Sequence, residues 1–395
     1  MAYPDPLTYV EIDLKAIAHN LRMLRRIAQK NRFYLPTRPK SAKPIAMDLL
    51  AVIKADAYGH GVQRVAPLLE EAGVRFFGVS DVTEGVRLRE LGLKREVLLF
   101  ETTLPDHAPY IVDHRLTPTI CTLPMAEALD RYARQKKVVV DAHVKVDTGM
   151  GRLGVWHEEA FGFIRKVHQY KHVRLTGLLT HFPSADTDKR FTKAQIQALY
   201  DLVTNLDRIG LVIPYIHAAN SMGLTGYPTH VMNLARPGIM LYGLYPHPSL
   251  ESQIALKPAM QVKSKVILVK DVAKGRSISY GRTFLTRRDM RIAVVPIGYN
   301  DGFFRVLSNK AEVLIGGQRC RVTGVVTMDQ IMVDVTSVPE AKIGAPVVIM
   351  GRQKDGVVSA DEVARKARTI HYEVVCHFGN RLPRVYKSRN SFVKT

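Results

Sequence analysis

Residues 51–61 read Ala-Val-Ile-Lys-Ala-Asp-Ala-Tyr-Gly-His-Gly, and the residue there best suited to chemistry is Lys54. Val52 and Ile53, a β-branched pair, bring it to the end of a short apolar run, and Gly59 and Gly61 turn the chain into a helical pattern from Val62 onward. A lysine whose stem leaves an apolar strand is poorly solvated, which favours the neutral amine and suits it to Schiff-base chemistry with a carbonyl or with pyridoxal phosphate. Strand-end lysines also snorkel to solvent, so Lys54 alone does not decide between the two.

A second stretch, 143–154, reads His-Val-Lys-Val-Asp-Thr-Gly-Met-Gly-Arg-Leu-Gly. Taken literally, Gly149-x-Gly151-x-x-Gly154 is a dinucleotide fingerprint, which requires an acidic residue about 20 positions on to hold the ribose. Residues 170–177 contain none, so the fingerprint is set aside as a coincidence. Arg152 in the same stretch has the planar fork that suits a carboxylate. Three further β-rich runs end in polar residues: Thr180-His181, His217-Ala-Ala-Asn220-Ser221, and Arg236-Pro-Gly238-Ile239. His168 and His172 have i, i+4 spacing but no third ligand, and are read as surface residues.

The elements that must position these residues alternate. β-rich runs fall at 51–55, 75–80, 96–101, 117–121, 138–146, 175–181, 214–218 and 234–242, with helical patterns at 62–72, 84–91, 124–135, 158–170 and 193–209 between them. Eight strands with helical crossovers predict an α/β fold built on a (β/α)₈ TIM-like barrel, whose active site sits at the C-terminal strand ends; a doubly wound open sheet is the alternative. Before the barrel, residues 8–13 alternate as a strand and Asp13 is placed to cap a helix whose apolar face is Leu14, Ile17, Leu21, Leu24 and Ile27. Residues 31–48 break the pattern with Pro36, Pro39 and Pro44 among basic residues and are expected to form a surface loop. After about Pro246 strands dominate, at 260–269, 277–281, 291–297, 311–316, 319–327, 331–336 and 346–350, with one helix at 360–367. A mainly β C-terminal domain is therefore expected to follow the barrel.

The chain of 395 residues is 46% hydrophobic and 24% charged, which places it in the globular class. No run of 18 apolar residues and no basic, apolar leader is present, so a cytoplasmic location without membrane association is expected. Cys121, Cys320 and Cys376 are odd in number and widely spaced, which supports neither a disulfide framework nor a thiolate metal site. The net charge of +21 raises nucleic-acid binding as a competitor, with no acidic residue between Asp13 and Asp48. No zinc-finger, RNA-binding or helix-turn-helix signature accompanies it, so a solvated basic face is preferred and no specific nucleic-acid partner is expected.

The segment Val-Ile-Lys-Ala-Asp-Ala-Tyr-Gly-His-Gly, together with Lys-x-Asp-Thr-Gly-Met-Gly-Arg-Leu-Gly and Ser279-Tyr280-Gly281, resembles the alanine racemase family. The resemblance implies a pyridoxal-phosphate barrel domain at 12–246 and a β domain at 247–395, with the N-terminal strand within 1–11 joining the latter. By the match Lys54 carries the cofactor, Tyr58 reaches its phosphate, and Asn220, Ser221, Gly238 and Ile239 line the phosphate. Arg152 contacts the cofactor's phenolic oxygen and the substrate carboxylate. Arg236, supported by His217, faces the pyridine nitrogen, and His181 lies near the catalytic Tyr280. Lys145 is the position of a carbamylated lysine; an ordinary strand lysine fits the residues equally well. Tyr299, Met328 and Asp329 are implied at the substrate. Asn300 and Asn380 depart from the family pattern, Asn380 standing where a phosphate-binding tyrosine is common.

The implied reaction is interconversion of L-alanine and D-alanine by two bases, Lys54 of one subunit and Tyr280 of the other, in a head-to-tail homodimer with shared active sites that supplies D-alanine for cell-wall peptidoglycan. A tyrosine titrates near 10 when unperturbed, so Tyr280 needs adjacent positive charge or hydrogen bonds, for which His181 and Arg236 are the candidates. A racemase of broader range, acting on serine or basic amino acids, and a fold-related amino acid decarboxylase are the alternative enzymes. A non-catalytic carrier of pyridoxal phosphate is the alternative outside enzymes.

Overall fold

The computed structural model describes residues 5–33, 45–227, 231–387 and 392–394. Two compact units emerge, one of Ala18–Ala57 and Val62–Lys257, the other of Met1–Ile17, Tyr58–Gly61 and Pro258–Thr395. Residues 247–257 therefore group with the barrel, where Lys257 exchanges two 2.8 Å hydrogen bonds with the Asn20 side chain.

In the first unit eight parallel strands close on themselves, which excludes the open sheet. In order they are Asp48–Val52, Phe76–Val79, Glu96–Leu99, Thr119–Ile120, Val140–Asp147, Val173–Leu179, Tyr215–His217 and Leu234–Ala235. The eighth pairs with the first through Leu234 opposite Asp48, and a Leu98–Thr117 bridge joins the third strand to the segment entering the fourth. Asn233 stitches the seventh strand to the eighth, its N–H donating to Ile216 O and its Oδ1 accepting from Ile216 N. Helices at Val62–Glu71, Val82–Glu90, Leu123–Lys136, His157–Val167 and Lys189–Arg208 follow the apolar periodicity. The short helices Ala108–Asp113 and Ser221–Gly226 carry too few turns to register as a period.

Two barrel strands differ from expectation. The first begins and ends three residues early, at Asp48–Val52 instead of 51–55, so Lys54 lies beyond the strand. The eighth stops at Ala235, because Pro237 has no N–H to continue a ladder, and Ile239–Tyr242 closes into a 3₁₀ turn. In the stretch 31–48 expected as a loop, Arg32–Phe33 pairs antiparallel with Ile45–Ala46, and 34–44 lie outside the described residues.

In the second unit a large sheet runs Gln318–Arg321, Glu312–Ile315, Pro346–Gln353, Met260–Lys265, Tyr9–Asp13, Arg384–Lys387, Phe392–Lys394. Tyr9–Asp13 pairs antiparallel with Met260–Lys265 and parallel with Arg384–Lys387. Its buried Glu11 takes ion pairs from Lys263 at 2.8 Å and Lys387 at 2.6 Å, which satisfies a carboxylate that burial would otherwise penalise. Asp13 caps the helix Leu14–Ala28 by accepting from the N–H groups of Lys15 and Ala16. The strand expected at 260–269 is two, because after Lys265 the chain leaves the large sheet and Leu268–Val272 pairs with Met290–Val295 in a three-stranded one. The helix His371–His377, between Ala360–Ala367 and the last strands, was not visible as a pattern; it is only seven residues long. Among the described residues no helix is long and apolar enough to cross a membrane.

Candidate active site

Lys54 is half-buried, one residue beyond the buried Ile53, whose N–H donates to Gly78 O of the second strand. The four residues after it, Ala55, Asp56, Ala57 and Tyr58, all have left-handed φ values, of 53°, 53°, 56° and 54°. A left-handed turn of L-residues costs about 1–2 kcal/mol per residue, and such strain persists only where the surroundings over-determine it. Here Ala55 N donates to Glu84 Oε1 at 2.7 Å, Ala57 N to Ile53 O at 2.9 Å, and Asp56 Oδ1 accepts from Val62 N at 2.9 Å. The other oxygen of Glu84 accepts from Ser80 N, so one carboxylate fixes the ends of the first two strands. Glu84 is a site residue that sequence reading passed over as an ordinary helix start.

The fifth strand turns His143, Lys145 and Asp147 in one direction by its period of two, and all three are buried in the barrel. Asp147 Oδ1 accepts from the N–H groups of Gly149, Met150 and Gly151, and its Oδ2 from Arg152 N, so the glycine-rich stretch is a loop wrapped on a carboxylate. It opens no helix directly, unlike a dinucleotide fingerprint; the short strand Val155–Trp156 comes first. Arg152 stands exposed beyond it. Burial, then the charges of Arg236 and Arg152, push the Lys145 amine down to about 8.

Arg236 is buried at the end of the eighth strand, and burial pushes its guanidinium down to about 9. Its Nη1 donates to His217 Nδ1 at 3.0 Å, and its Nη2 donates to Thr180 O at 2.7 Å, Ala218 O at 3.1 Å and His181 Nδ1 at 3.2 Å. The Nε–H and the second Nη1–H take no acceptor among the described residues, which leaves the Nε–H as a donor for a ligand atom. Burial, followed by the charges of Arg236, Lys145, Arg152 and Lys54, holds His181 well below its ordinary value. His181 is therefore neutral with its proton on Nε2, an N–H that can donate a hydrogen bond and carries no positive charge. Gln195 on Lys189–Arg208 fixes that strand end by donating to His181 O and Thr148 Oγ1, each at 3.1 Å, a contact that no motif marks.

The ends of the seventh and eighth strands are tied together by Ser221 and Gly238. Ser221 Oγ accepts from Gly238 N at 3.2 Å, and Ile239 opens the 3₁₀ turn after Gly238. Asn220 caps Ser221–Gly226, its Oδ1 committed to Gly223 N at 2.9 Å. The first and eighth strand ends touch through Val52 N and Pro237 O, 3.1 Å apart.

The remaining expected residues belong to the other compact unit. Burial, with Tyr372 and Cys376 nearby, raises the Tyr58 phenol far above its ordinary value, so it is a donor and not a base. Tyr280, 71% exposed, stands on a turn whose neighbours Ser279, Gly281 and Arg282 have φ of 65°, 65° and 49°, and Ser279 Oγ anchors that turn on Val325 O. The segments holding Tyr299 and Met328 are laced together by Tyr299 N to Thr327 O and Asn300 N to Met328 O. Tyr299 and Met328 are 40% and 52% exposed, and Met328 N has no acceptor among the described residues. Asp329 is held by Arg381 at 2.5 Å, and Asn380 is exposed in the adjoining turn.

Sequence reading also missed His143. Its Nδ1 meets His217 Nε2 at 2.9 Å, and its ring lies over Gly177, the residue it pairs with on the sixth strand. A Cβ at Gly177 would come within 2.4 Å of three ring atoms. Gly177→Ala is expected to lower stability by about 1–3 kcal/mol through overpacking; an unchanged denaturant midpoint would mean that the ring moves aside freely.

A family model of the alanine racemase N-terminal domain matches residues 12–246, and one of the alanine racemase C-terminal domain matches 259–386. Alanine racemase of Halothermothrix orenii is 39% identical over 383 residues, 97% of each chain. That of Geobacter sulfurreducens is 38% identical over 384 residues, 96% of this chain and 97% of its own. Among solved structures, alanine racemase of Clostridium difficile 630 superposes with a TM-score of 0.89 at 33% identity, over 99% of this chain and 98% of that one. Alanine racemase from Bacillus anthracis with bound L-Ala-P gives 0.86 at 30% identity, over 99% and 98%.

Proposed function

The chain belongs to the alanine racemase family, and from that premise we propose that it interconverts L-alanine and D-alanine with pyridoxal phosphate seated at the C-terminal mouth of the barrel. The observation that carries the reading is Arg236, a buried donor-only group with its Nε–H to spare, in a site that also offers a lysine amine. The donor set fits the cofactor: Lys54 Nζ would hold it, Arg236 Nε–H would meet the pyridine nitrogen, and Ser221, Gly238, Ile239 and the protonated Tyr58 would bind the phosphate, with Asn220 capping the helix beneath.

When bound, pyridoxal phosphate supplies an electron sink that acidifies the substrate's Cα–H. Arg236, donating to the ring nitrogen, would disfavour its protonation and so moderate that sink, which would favour simple proton return over side reactions. Lys54 Nζ takes or returns the proton on one face, and Tyr280 Oη of the partner subunit does so on the other. The exposed Met328 N–H and the Arg152 fork orient the substrate carboxylate, while Tyr299 and Asp329, steadied by Arg381, border its entrance. The high exposure of Tyr280, Tyr299 and Met328 in a single unit supports a head-to-tail dimer in which a partner covers them.

Incubating a panel of L-amino acids with the protein and cofactor, followed by chiral chromatography, tests substrate and reaction together. D-Alanine is expected to predominate. D-Serine, D-lysine or D-arginine in comparable yield would assign a broader racemase, and amines would assign a decarboxylase.

Lys145 supports a modification. A neutral amine attacks CO₂, forming an N–C bond and losing a proton, and the carbamate anion would rest against Arg152 and Arg236. Because the Lys145 value is lowered to about 8, its reactive neutral form grows as pH rises through that point. A ¹³C-bicarbonate label is expected to give a carbamate resonance that strengthens over the same range and is missing from Lys145→Ala; a resonance unchanged in the variant would refute the assignment.

A further inference from the structure

Arg236 sits among acceptors that carry no charge: two imidazoles and two carbonyls. A guanidinium only donates, and this fixes the protons along the barrel interior. His217 must present its Nδ1 lone pair to Arg236, so its own proton is on Nε2. That N–H reaches His143 Nδ1 at 2.9 Å, which must accept, and the His143 proton is therefore also on Nε2. Burial keeps both rings neutral, His143 pushed down to about 3 and His217 well below its ordinary value.

The chain ends on a carboxylate. His143 Nε2 and Glu96 Oε1 are buried 3.6 Å apart, and neither atom has a hydrogen-bond partner among the described residues. Glu96 begins the third strand, at the end of the barrel opposite Arg236, where it lines a cleft of about 870 Å³. Its side chain is 28% exposed although Oε1 is buried, so one edge meets His143 and the rest meets solvent.

We propose that Glu96 is a positioning residue of the racemisation: through His143 and His217 it fixes both tautomers and ties the Arg236 guanidinium to a carboxylate that exchanges its proton with solvent on the far face of the barrel. The inference rests on Arg236 facing the pyridine nitrogen. An ionised Glu96 draws on His143 Nε2–H, polarises both imidazoles in one sense and strengthens the lone pair that holds Arg236; protonation slackens the chain. Burial raises Glu96 to about 7, with Asp141 acting in the same direction and Arg75 and Arg89 opposing it. Tyr215 also faces it, Arg75 is paired with Asp48, and Asp141 is paired with Arg174. The carboxylate is thus charged, and the chain taut, above that pH.

The test is long-range ¹H–¹⁵N correlation on ¹⁵N-histidine-labelled holoenzyme between about pH 5.5 and 9, with His143 assigned from a His143→Asn variant. The expected result is two neutral Nε2–H rings and a His143 Nε2 shift that moves with a midpoint of about 7. In Glu96→Gln the midpoint disappears, the cofactor's absorbance loses its inflection there, and kcat falls about 3- to 30-fold at unchanged KM. Glu96→Asp restores an inflection. An Nδ1–H or protonated ring at either histidine, or a midpoint that survives Glu96→Gln, would overturn the proposal. The tautomers are read without turnover, so they decide it separately from the racemase reading and even if Glu96→Gln does not fold.

Discussion

Lys54→Ala is expected to lower kcat/KM for alanine racemisation by at least about 10⁴-fold, because one residue supplies both the anchoring amine and a base for one face of Cα. The loss should fall on both directions of the reaction and be accompanied by a change in the bound cofactor's absorbance. The protein should remain folded, since the left-handed turn after Lys54 is fixed by Glu84, Ile53 and Asp56 and not by the lysine side chain. Circular dichroism alongside turnover checks this. Activity within tenfold of the unmodified protein would remove Lys54 from the chemistry.

Tyr280→Phe should reduce turnover by about 10²- to 10⁴-fold, the range for losing one general acid–base group, while leaving cofactor absorbance intact. Its phenol is exposed and no site contact depends on it within its own unit, so folding should not change. Pairing this variant with Lys54→Ala also tests the shared site. In a head-to-tail dimer each site draws Lys54 from one subunit and Tyr280 from the other, so a mixed dimer has one intact site and one doubly altered site. A statistical mixture of the two inactive variants should recover about a quarter of normal activity. No recovery after subunit exchange would place both residues of a site in the same chain.

The barrel was legible because its apolar runs and helical periods alternate strongly, and the β domain because strand signals follow one another after Pro246. Boundaries were weakest where backbone chemistry overrides propensity. Nothing in Ala-Asp-Ala-Tyr marks four left-handed residues, since that conformation is imposed by Glu84, 29 positions away from Ala55. Pro237 was a readable stop for the eighth strand that the apolar run 234–242 concealed. Helix His371–His377 and the strand Gly356–Val358 are too short for a period to show.

At the site, the residues within motifs stood out in the sequence, and of the residues that orient them His217 was named while Glu84, His143 and Gln195 were not. His143 was visible in principle, since His143, Lys145 and Asp147 alternate on one strand, and three inward polar residues need partners inside a barrel. Gln195 and Glu96 carry no such signal, because their roles depend on which strand ends the closed barrel brings together. The neutral state of His181 was equally hidden: its sequence neighbours do not include Arg236, whose donation fixes its proton.

The most direct measurement is the conversion of L-alanine in D₂O by the protein with pyridoxal phosphate, followed by chiral separation and mass analysis until composition stops changing. Mirror-image substrates have equal free energies, so the account predicts equal final amounts of L- and D-alanine from either starting enantiomer, with deuterium at Cα in the D-alanine formed. Cα exchange without any D-alanine, or release of an amine in its place, would contradict it.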